Sequence, residues 1–184
     1  MDDGTFLEII IMQNEEMEKK IESLLSLAKI EQAQLNLTRI DMSRLLEEVI
    51  KTHAIHLENH KIDFKSHIEK DCYANVSKEE MMSVFNNLLT NAIKYTADKT
   101  ITVQLYKEED RCHFMIKNGI DPSHALEIDQ VWKPFYVGEA SRSKTFSGTG
   151  LGLTIVKAIL DKHQITYDCY LANNQFVFEM VAIL

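Results

Sequence analysis

The sequence predicts a two-layer α/β sandwich, a mixed and mostly antiparallel sheet with helices on one face, preceded by a long N-terminal helix. Three observations point there. The first 36 residues hold one long apolar-periodic segment. From residue 61 onward, short alternating runs that suit strands are interleaved with two further helical segments. Hairpin-spaced strands mixed with helices pack as helices on a sheet, not as a bundle or a barrel. With 184 residues, 45% of them hydrophobic, the chain can bury one medium core and carry an appendage. The expected division is an appendage at residues 1–36 and a domain at 37–184.

The N-terminal helix is expected over residues 5–34. Leu7, Ile10, Asn14, Met17, Ile21, Leu24 and Ala28 recur at steps of three and four, and Ile11 and Leu25 widen the stripe beyond a coiled-coil seam. A lone helix cannot bury such a stripe. It calls for a partner helix in a dimer or bundle, or for folding back on its own domain. Asn14 within the stripe costs stability and can fix register. Residues 36–40 read as a short link. Asp41 is the expected N-cap of a second helix that runs to about residue 59. His53, His56 and His60 share one of its faces, but no carboxylate or cysteine completes a metal set, so they read as solvated surface histidines.

Residues 61–68 and 72–76 suit strands. Ser77-Lys78-Glu79-Glu80 is a capping box that opens a third helix. Residues 101–106 and 111–117 alternate as a hairpin, with Glu109-Asp110 near its turn. A fourth helix runs from a glycine-rich loop to about His163. Two closing strands, near residues 165–171 and 175–183, flank Asn173-Asn174.

The net charge of -8 argues against a nonspecific nucleic-acid binder, which needs a basic face. The three cysteines, Cys72, Cys112 and Cys169, lie far apart in apolar or strand-like runs and form no Cys-x-x-Cys pair. Buried thiols in odd number fit a reducing compartment. No apolar run is long enough to span a membrane, and Asp2 and Asp3 give the wrong charge for a signal peptide. Neither nucleic acid nor membrane is expected to touch this stretch of chain.

Chemistry concentrates in two places. The first is Ser147-Gly148-Thr149-Gly150-Leu151-Gly152-Leu153, which runs directly into the apolar-periodic Thr154-Ile155-Val156-Lys157-Ala158-Ile159-Leu160. Glycines let backbone approach a ligand and aim successive N–H groups at it. The helix start adds unsatisfied amides and partial positive charge, so together they form a seat for phosphate. A flexible loop capped by Thr149 is the alternative. There is no Gly-Lys-Ser/Thr ending, which removes a P-loop, and the loop does not open a first βαβ unit, which removes a dinucleotide fingerprint.

The second place is the third helix. Phe85, Leu88, Leu89, Ala92 and Ile93 share one broad face, while Asn87, Asn91 and Lys94 share another with Tyr95 at its border. Asparagine prefers caps, so two of them one turn apart in mid-helix want a reason. Amide oxygens are hard ligands for magnesium, which also keeps waters and phosphate oxygens, and lysine supplies a point charge for phosphate. A solvated polar face is the alternative reading.

Asn87-Leu88-Leu89-Thr90-Asn91-Ala92-Ile93-Lys94-Tyr95-Thr96 resembles the N-box of sensor histidine kinases. Gly148-Thr149-Gly150-Leu151-Gly152-Leu153 resembles their second glycine box. Trp132-Lys133-Pro134-Phe135-Tyr136 followed by Ser141-Arg142-Ser143 is similar to their phenylalanine box and ATP lid. Ile21-Glu22-Ser23-Leu24-Leu25-Ser26-Leu27-Ala28-Lys29-Ile30-Glu31 looks like the second helix of the dimerisation and phosphotransfer hairpin. The resemblance covers nearly the whole chain, with its motifs in the family's order.

That resemblance implies the Bergerat ATP-binding sandwich shared with gyrase. Residues 1–36 would be the partial dimerisation helix and 37–184 the catalytic domain. Asn91 would hold magnesium on the nucleotide phosphates, with Asn87 beside it. Lys94 and Tyr95 would line the phosphate and base side, and Phe135 and Tyr136 would bound the nucleotide. Gly148, Gly150 and Gly152 would offer amides to phosphate within the loop that includes Thr149, Leu151 and Leu153. Residues 137–147 would be the lid. There Arg142 and Lys144 would steady the γ-phosphate or lie in solvated loop. The implied cofactors are ATP and Mg2+. The implied partners are a second copy, through the N-terminal helix, and the receiver domain of a response regulator. The implied setting is the cytoplasmic part of a membrane-bound sensor.

The sequence departs from the pattern twice. The first glycine box normally has Asp-x-Gly-x-Gly, but here Ile116-Lys117-Asn118-Gly119-Ile120-Asp121-Pro122 puts Asn118 where the aspartate is expected and lacks the second glycine. An asparagine oxygen still accepts a hydrogen bond from the adenine amino group, without charge assistance. Asp121 is displaced along the loop and restricted by the proline that follows. No histidine fits the phosphoacceptor of the hairpin's first helix, and Met1-Asp2-Asp3-Gly4 looks like a fragment start. The chain is therefore expected to bind ATP for transfer to a histidine it lacks. Two other functions compete. One is a degenerate nucleotide-binding module without kinase activity. The other is a gyrase-type ATPase, which would need Glu80 as a base two turns before Asn87.

Overall fold

The computed structural model describes residues 3–123, 126–136 and 149–183. Helix α1 (Asp3–Gln32) leads into β1 (Thr38–Asp41) and α2 (Met42–Asn59). Strands β2 (Asp63–Ile68) and β3 (Tyr73–Val76) precede α3 (Lys78–Tyr95). The hairpin of β4 (Thr100–Glu108) and β5 (Arg111–Gly119) follows, then a 3-10 turn at Ile128–Gln130. Helix α4 (Gly152–Lys162), β6 (Thr166–Ala172) and β7 (Gln175–Ile183) complete the described chain.

The main sheet has the order β2-β4-β5-β7-β6, with β2 parallel to β4 and the other neighbours antiparallel. Period-2 alternation sorts its two faces. Ile101, Val103 and Leu105 of β4 point to the same side as Phe114, Ile116 and Asn118 of β5 and Phe178 and Met180 of β7, and all are buried. Helices α2, α3 and α4 cover that side. They contribute Leu45, Leu46 and Val49, then Val84, Phe85, Leu88 and Leu89, then Ile155, Val156, Ile159 and Leu160. The Phe85 ring lies 5.0 Å from that of Phe114, and Phe114 lies 6.5 Å from Phe178 in an edge arrangement. The expected sandwich of helices on one face of a mixed sheet is therefore the fold. The three cysteines are free and buried, as expected. Burial pushes the thiols of Cys112 and Cys169 up to about 12, which keeps them protonated and inert near neutral pH.

Four local readings need correction. The link at 36–40 is partly strand: β1 pairs antiparallel with β3, Thr38 opposite Val76 and Asp41 opposite Tyr73. Four residues are too few for a period to show, and a long-range partner makes this strand. The N-terminal helix ends at Gln32, two residues early. His53 is half-buried, and its Nε2 donates to Asn86 Oδ1 at 3.0 Å, tying α2 to α3 instead of facing water. The capping box at Ser77 is only half made. Ser77 Oγ accepts from the Glu80 N–H at 3.4 Å, but the Ser77 N–H donates to His163 Nε2 at 3.1 Å and the Glu80 carboxylate binds Lys162 at 2.7 Å. Tertiary partners outcompeted the local bond. Asp41 caps α2 as expected, accepting from the Arg44 N–H at 3.1 Å.

Helix α1 behaves in two parts. Leu27 and Ile30 near its end pack against the core, while Leu7, Ile10, Ile11, Met17, Ile21, Leu24 and Leu25 are exposed. Phe85 sits where both layers meet. Phe85→Ala is expected to cost about 3–5 kcal/mol of unfolding free energy, measured by urea denaturation.

Candidate functional site

The site is built where α3 and the start of α4 meet. On α3, Asn87 Nδ2 donates back to the Ser83 carbonyl at 2.8 Å, with Ser83 Oγ at 3.4 Å. That bond uses the nitrogen end of the carboxamide and leaves Oδ1 free to point outward. It points at Gly152. A Cβ on Gly152 would lie 3.1 Å from Asn87 Oδ1, 3.3 Å from Asn91 Nδ2 and 3.4 Å from Asn91 Oδ1. Any side chain at 152 would push the two carboxamides back by a few tenths of an ångström from the first residue of α4. Leu151, the N-cap residue, has no side-chain cap bond, so α4 begins with open backbone amides beside two carboxamides.

The loop before α4 is fixed by backbone. Gly150 has φ +70°, a left-handed value, and its carbonyl accepts from the Phe135 N–H at 2.9 Å. A Cβ there would stand 2.7 Å from the Phe135 backbone. Phe135 itself has φ 63°. The phenylalanine segment and the glycine loop are thus locked together by a close approach that a side chain would block. Thr149 Oγ1 accepts from the Leu151 N–H at 3.3 Å, a turn contact and not a helix cap. Leu151 is fully buried and Leu153 packs against the core, so neither side chain faces a ligand. Tyr136 also packs on the core, and its hydroxyl accepts from the Glu127 N–H at 3.2 Å, while the Phe135 ring is exposed.

The other wall is the end of α3 against the end of β5. The Ala97 N–H donates to the Gly119 carbonyl at 2.9 Å, and Thr96 Oγ1 bonds the Thr100 carbonyl and Asp98 Oδ1, each at 3.1 Å. This stitching brings Asn118, the residue before Gly119, near the C-terminal end of α3. Asn118 is 95% buried on the helix-covered side, since its exposure is 5%. Its Nδ2 donates to the Gly119 carbonyl at 3.2 Å, so the oxygen is the end not used in that bond. A reversed amide would set oxygen against carbonyl oxygen. A side chain at Gly119 would displace the Asp98 carboxylate, which accepts from Thr96 Oγ1 and the Thr100 N–H. Lys94 Nζ lies 5.3 Å over the Tyr95 ring, and burial raises the Tyr95 hydroxyl above its usual range.

The structure therefore brings together Asn87, Asn91 and Gly152, joins Gly150 to Phe135, and sets Asn118 at the foot of α3. Arg142, Lys144, Gly148 and the lid expected at 137–147 lie outside the described residues. Among the described residues no cluster of three or more His, Cys, Asp or Glu side chains could hold a metal by itself. The donors present are neutral amide oxygens, which fit a hard cation that arrives already bound to phosphate. Sequence reading missed Ser83. It lies four residues before Asn87, and that spacing was the available signal.

Residues 77–180 match the family model described as "Histidine kinase-, DNA gyrase B-, and HSP90-like ATPase". The chain belongs to this ATPase family. Its relatives are sensor kinases. It is 34% identical over 121 residues to the sensor protein VanSC of Enterococcus gallinarum, covering 65% of this chain and 33% of that one. The chain spans about a third of the length of the curated relatives it matches. Histidine kinase AdeS of Acinetobacter baumannii superposes with a TM-score of 0.74 at 20% identity, over 100% of this chain and 86% of that one. Histidine kinase ThkA, in a crystal structure with the response regulator TrrA, superposes with a TM-score of 0.75 at 19% identity, over 100% of this chain and 53% of that one. Among the described residues, no helix is long and apolar enough to cross a membrane.

A Gly152→Ala ATPase domain is expected to stay folded but to bind nucleotide roughly tenfold more weakly, a loss of about 1.4 kcal/mol. The new methyl group must displace the Asn87 and Asn91 carboxamides. Isothermal titration of a non-hydrolysable ATP analogue, beside a melting curve, checks both halves.

Proposed function

We propose that this chain is the catalytic ATP-binding part of a sensor histidine kinase, which presents the γ-phosphate of ATP to a histidine carried elsewhere in the parent protein. The observation that supports this most is the meeting of the Asn87 and Asn91 carboxamides with the bare α-carbon of Gly152. Backbone amides at the start of α4 would receive phosphate oxygens. Asn91, with Asn87 beside it, would hold magnesium, which supplies charge neutralisation on those oxygens. Ser83 keeps the Asn87 oxygen turned to that point. Asn118 would accept from the adenine amino group through its oxygen, with orientation set by the Gly119 carbonyl. Lys94 would add positive charge along the same helix face, and Tyr95 would wall the base side. Arg142 and Lys144 would act from the lid.

The reaction needs little from the protein beyond placement. Phosphoryl transfer is aided chiefly by positioning and by charge at the transferring oxygens. The chain holds the triphosphate still and leaves its γ-end toward the acceptor. The acceptor would sit on a partner of α1 in the parent dimer. The exposed stripe of Leu7, Ile10, Met17, Ile21 and Leu24 supports such pairing. The phosphate would pass onward to an aspartate of a response regulator, and the parent would be a membrane-bound sensor with this part in the cytoplasm. A gyrase-type hydrolysis is disfavoured by Glu80, whose carboxylate is bound to Lys162 at 2.7 Å and so is not free to act as a base.

Mixing this chain and Mg-ATP with the parent's histidine-bearing helix should give acid-labile phosphate on histidine. Asn91→Ala is expected to lower that labelling about a hundredfold or more. Equal labelling by the two proteins would refute the role given to Asn91.

A further inference from the structure

A second polar cluster lies at the far end of α4 from the nucleotide site. Lys162 is the last residue of that helix, and its side chain is only 17% exposed. Its ammonium donates to the Glu80 carboxylate at 2.7 Å and to the backbone carbonyl of Ile30 at 2.8 Å. Ile30 belongs to the last turn of α1, where carbonyls have no partner within the helix and the helix dipole is negative. Lys162 thus caps α1 from another element of the fold.

His163 lies behind the clasp, and Glu80 Oε2 itself makes no hydrogen bond. Glu80 Oε2 stands 3.5 Å from His163 Nδ1, and the His163 ring is fully buried. His163 Nε2 accepts from the Ser77 N–H at 3.1 Å, so its proton sits on Nδ1, which donates to the Ile159 carbonyl at 2.8 Å. This one ring joins the start of α3 to the end of α4. Leu27 and Ile30 pack on the core, and the preceding apolar positions are exposed.

We propose that Lys162 is a positioning residue: by capping the end of α1 while paired with Glu80, it fixes the direction of α1 relative to the phosphate seat at Gly152. The same helix carries both features, about 15 Å apart along its axis at 1.5 Å per residue. Residues 152 and 162 are its two ends. The inference rests on the kinase reading for its meaning, because the direction of α1 sets where the γ-phosphate is offered. Its geometry is independent of that reading.

The test places spin labels at Glu22→Cys on α1 and Asp110→Cys on the β4–β5 turn, and measures the distance distribution between them. The native thiols are buried and do not compete for label. The parent protein should give one narrow distribution. Lys162→Met should broaden it, Lys162→Arg should restore it, and nucleotide affinity should stay within about twofold of the parent in both. A purely structural role would instead lower stability and affinity together. Should Lys162→Met fail to fold because Glu80 is left unpaired, Lys162→Met/Glu80→Met leaves no lone charge and is read in the same way. An unchanged distribution in the Met variant, or a broad one in the parent, overturns the proposal. Absence of nucleotide binding in the parent would count against the kinase reading without touching these distances.

Discussion

A missing side chain organises the site. Two carboxamides from α3 stand where a β-carbon on the first residue of α4 would meet them at 3.1 to 3.4 Å, and glycine at 152 leaves that space open. The proposed nucleotide site depends on this approach. The Asn87 oxygen and the Asn91 carboxamide stand beside the first turn of α4, where a single ligand would have to meet both helices. An alanine would not unfold the sandwich. It would separate the two halves of the site by the few tenths of an ångström that decide coordination.

The approach is maintained by the core beneath it. Helices α3 and α4 pack on the same face of the sheet through Phe85, Leu88, Leu89, Val156, Ile159 and Leu160. Two backbone ties then close the rim. One joins Phe135 to Gly150, and the other joins Ala97 to Gly119. Both involve glycines: at Gly150 a side chain would strike the Phe135 backbone, and at Gly119 it would displace the Asp98 carboxylate. Glycine in this protein serves close approach at three separate points of one site. At the opposite end, Lys162, Glu80 and His163 join the same two helices to α1. The proposed nucleotide site and the contact with α1 thus share one pair of helices.

Much of this was legible in the sequence because it is written in short-range patterns. The polar face of Asn87, Asn91 and Lys94 follows from helical spacing alone, and alternating glycines before an apolar helix marked the place where backbone comes close to Phe135 and to α3. The hairpin was readable from its alternation. What escaped was long-range. Strand β1 exists only because β3, some thirty residues on, supplies its ladder. His53 looked solvated because nothing local shows that Asn86 would meet it. The reciprocal bond at Ser77 was a sound local expectation, but His163 and Lys162 took its two partners. The orientation of Asn118 was also hidden, since it depends on a carbonyl whose direction is fixed by strand pairing and by the end of α3.

The most direct measurement is a heteronuclear NMR titration with magnesium and a non-hydrolysable ATP analogue. If the triphosphate lies between α3 and α4, the backbone amides of Gly150 and Gly152 and the side-chain amides of Asn87 and Asn91 shift together and saturate at one ligand concentration. Shifts confined to one helix, or saturable binding that leaves all four signals in place, would contradict the account.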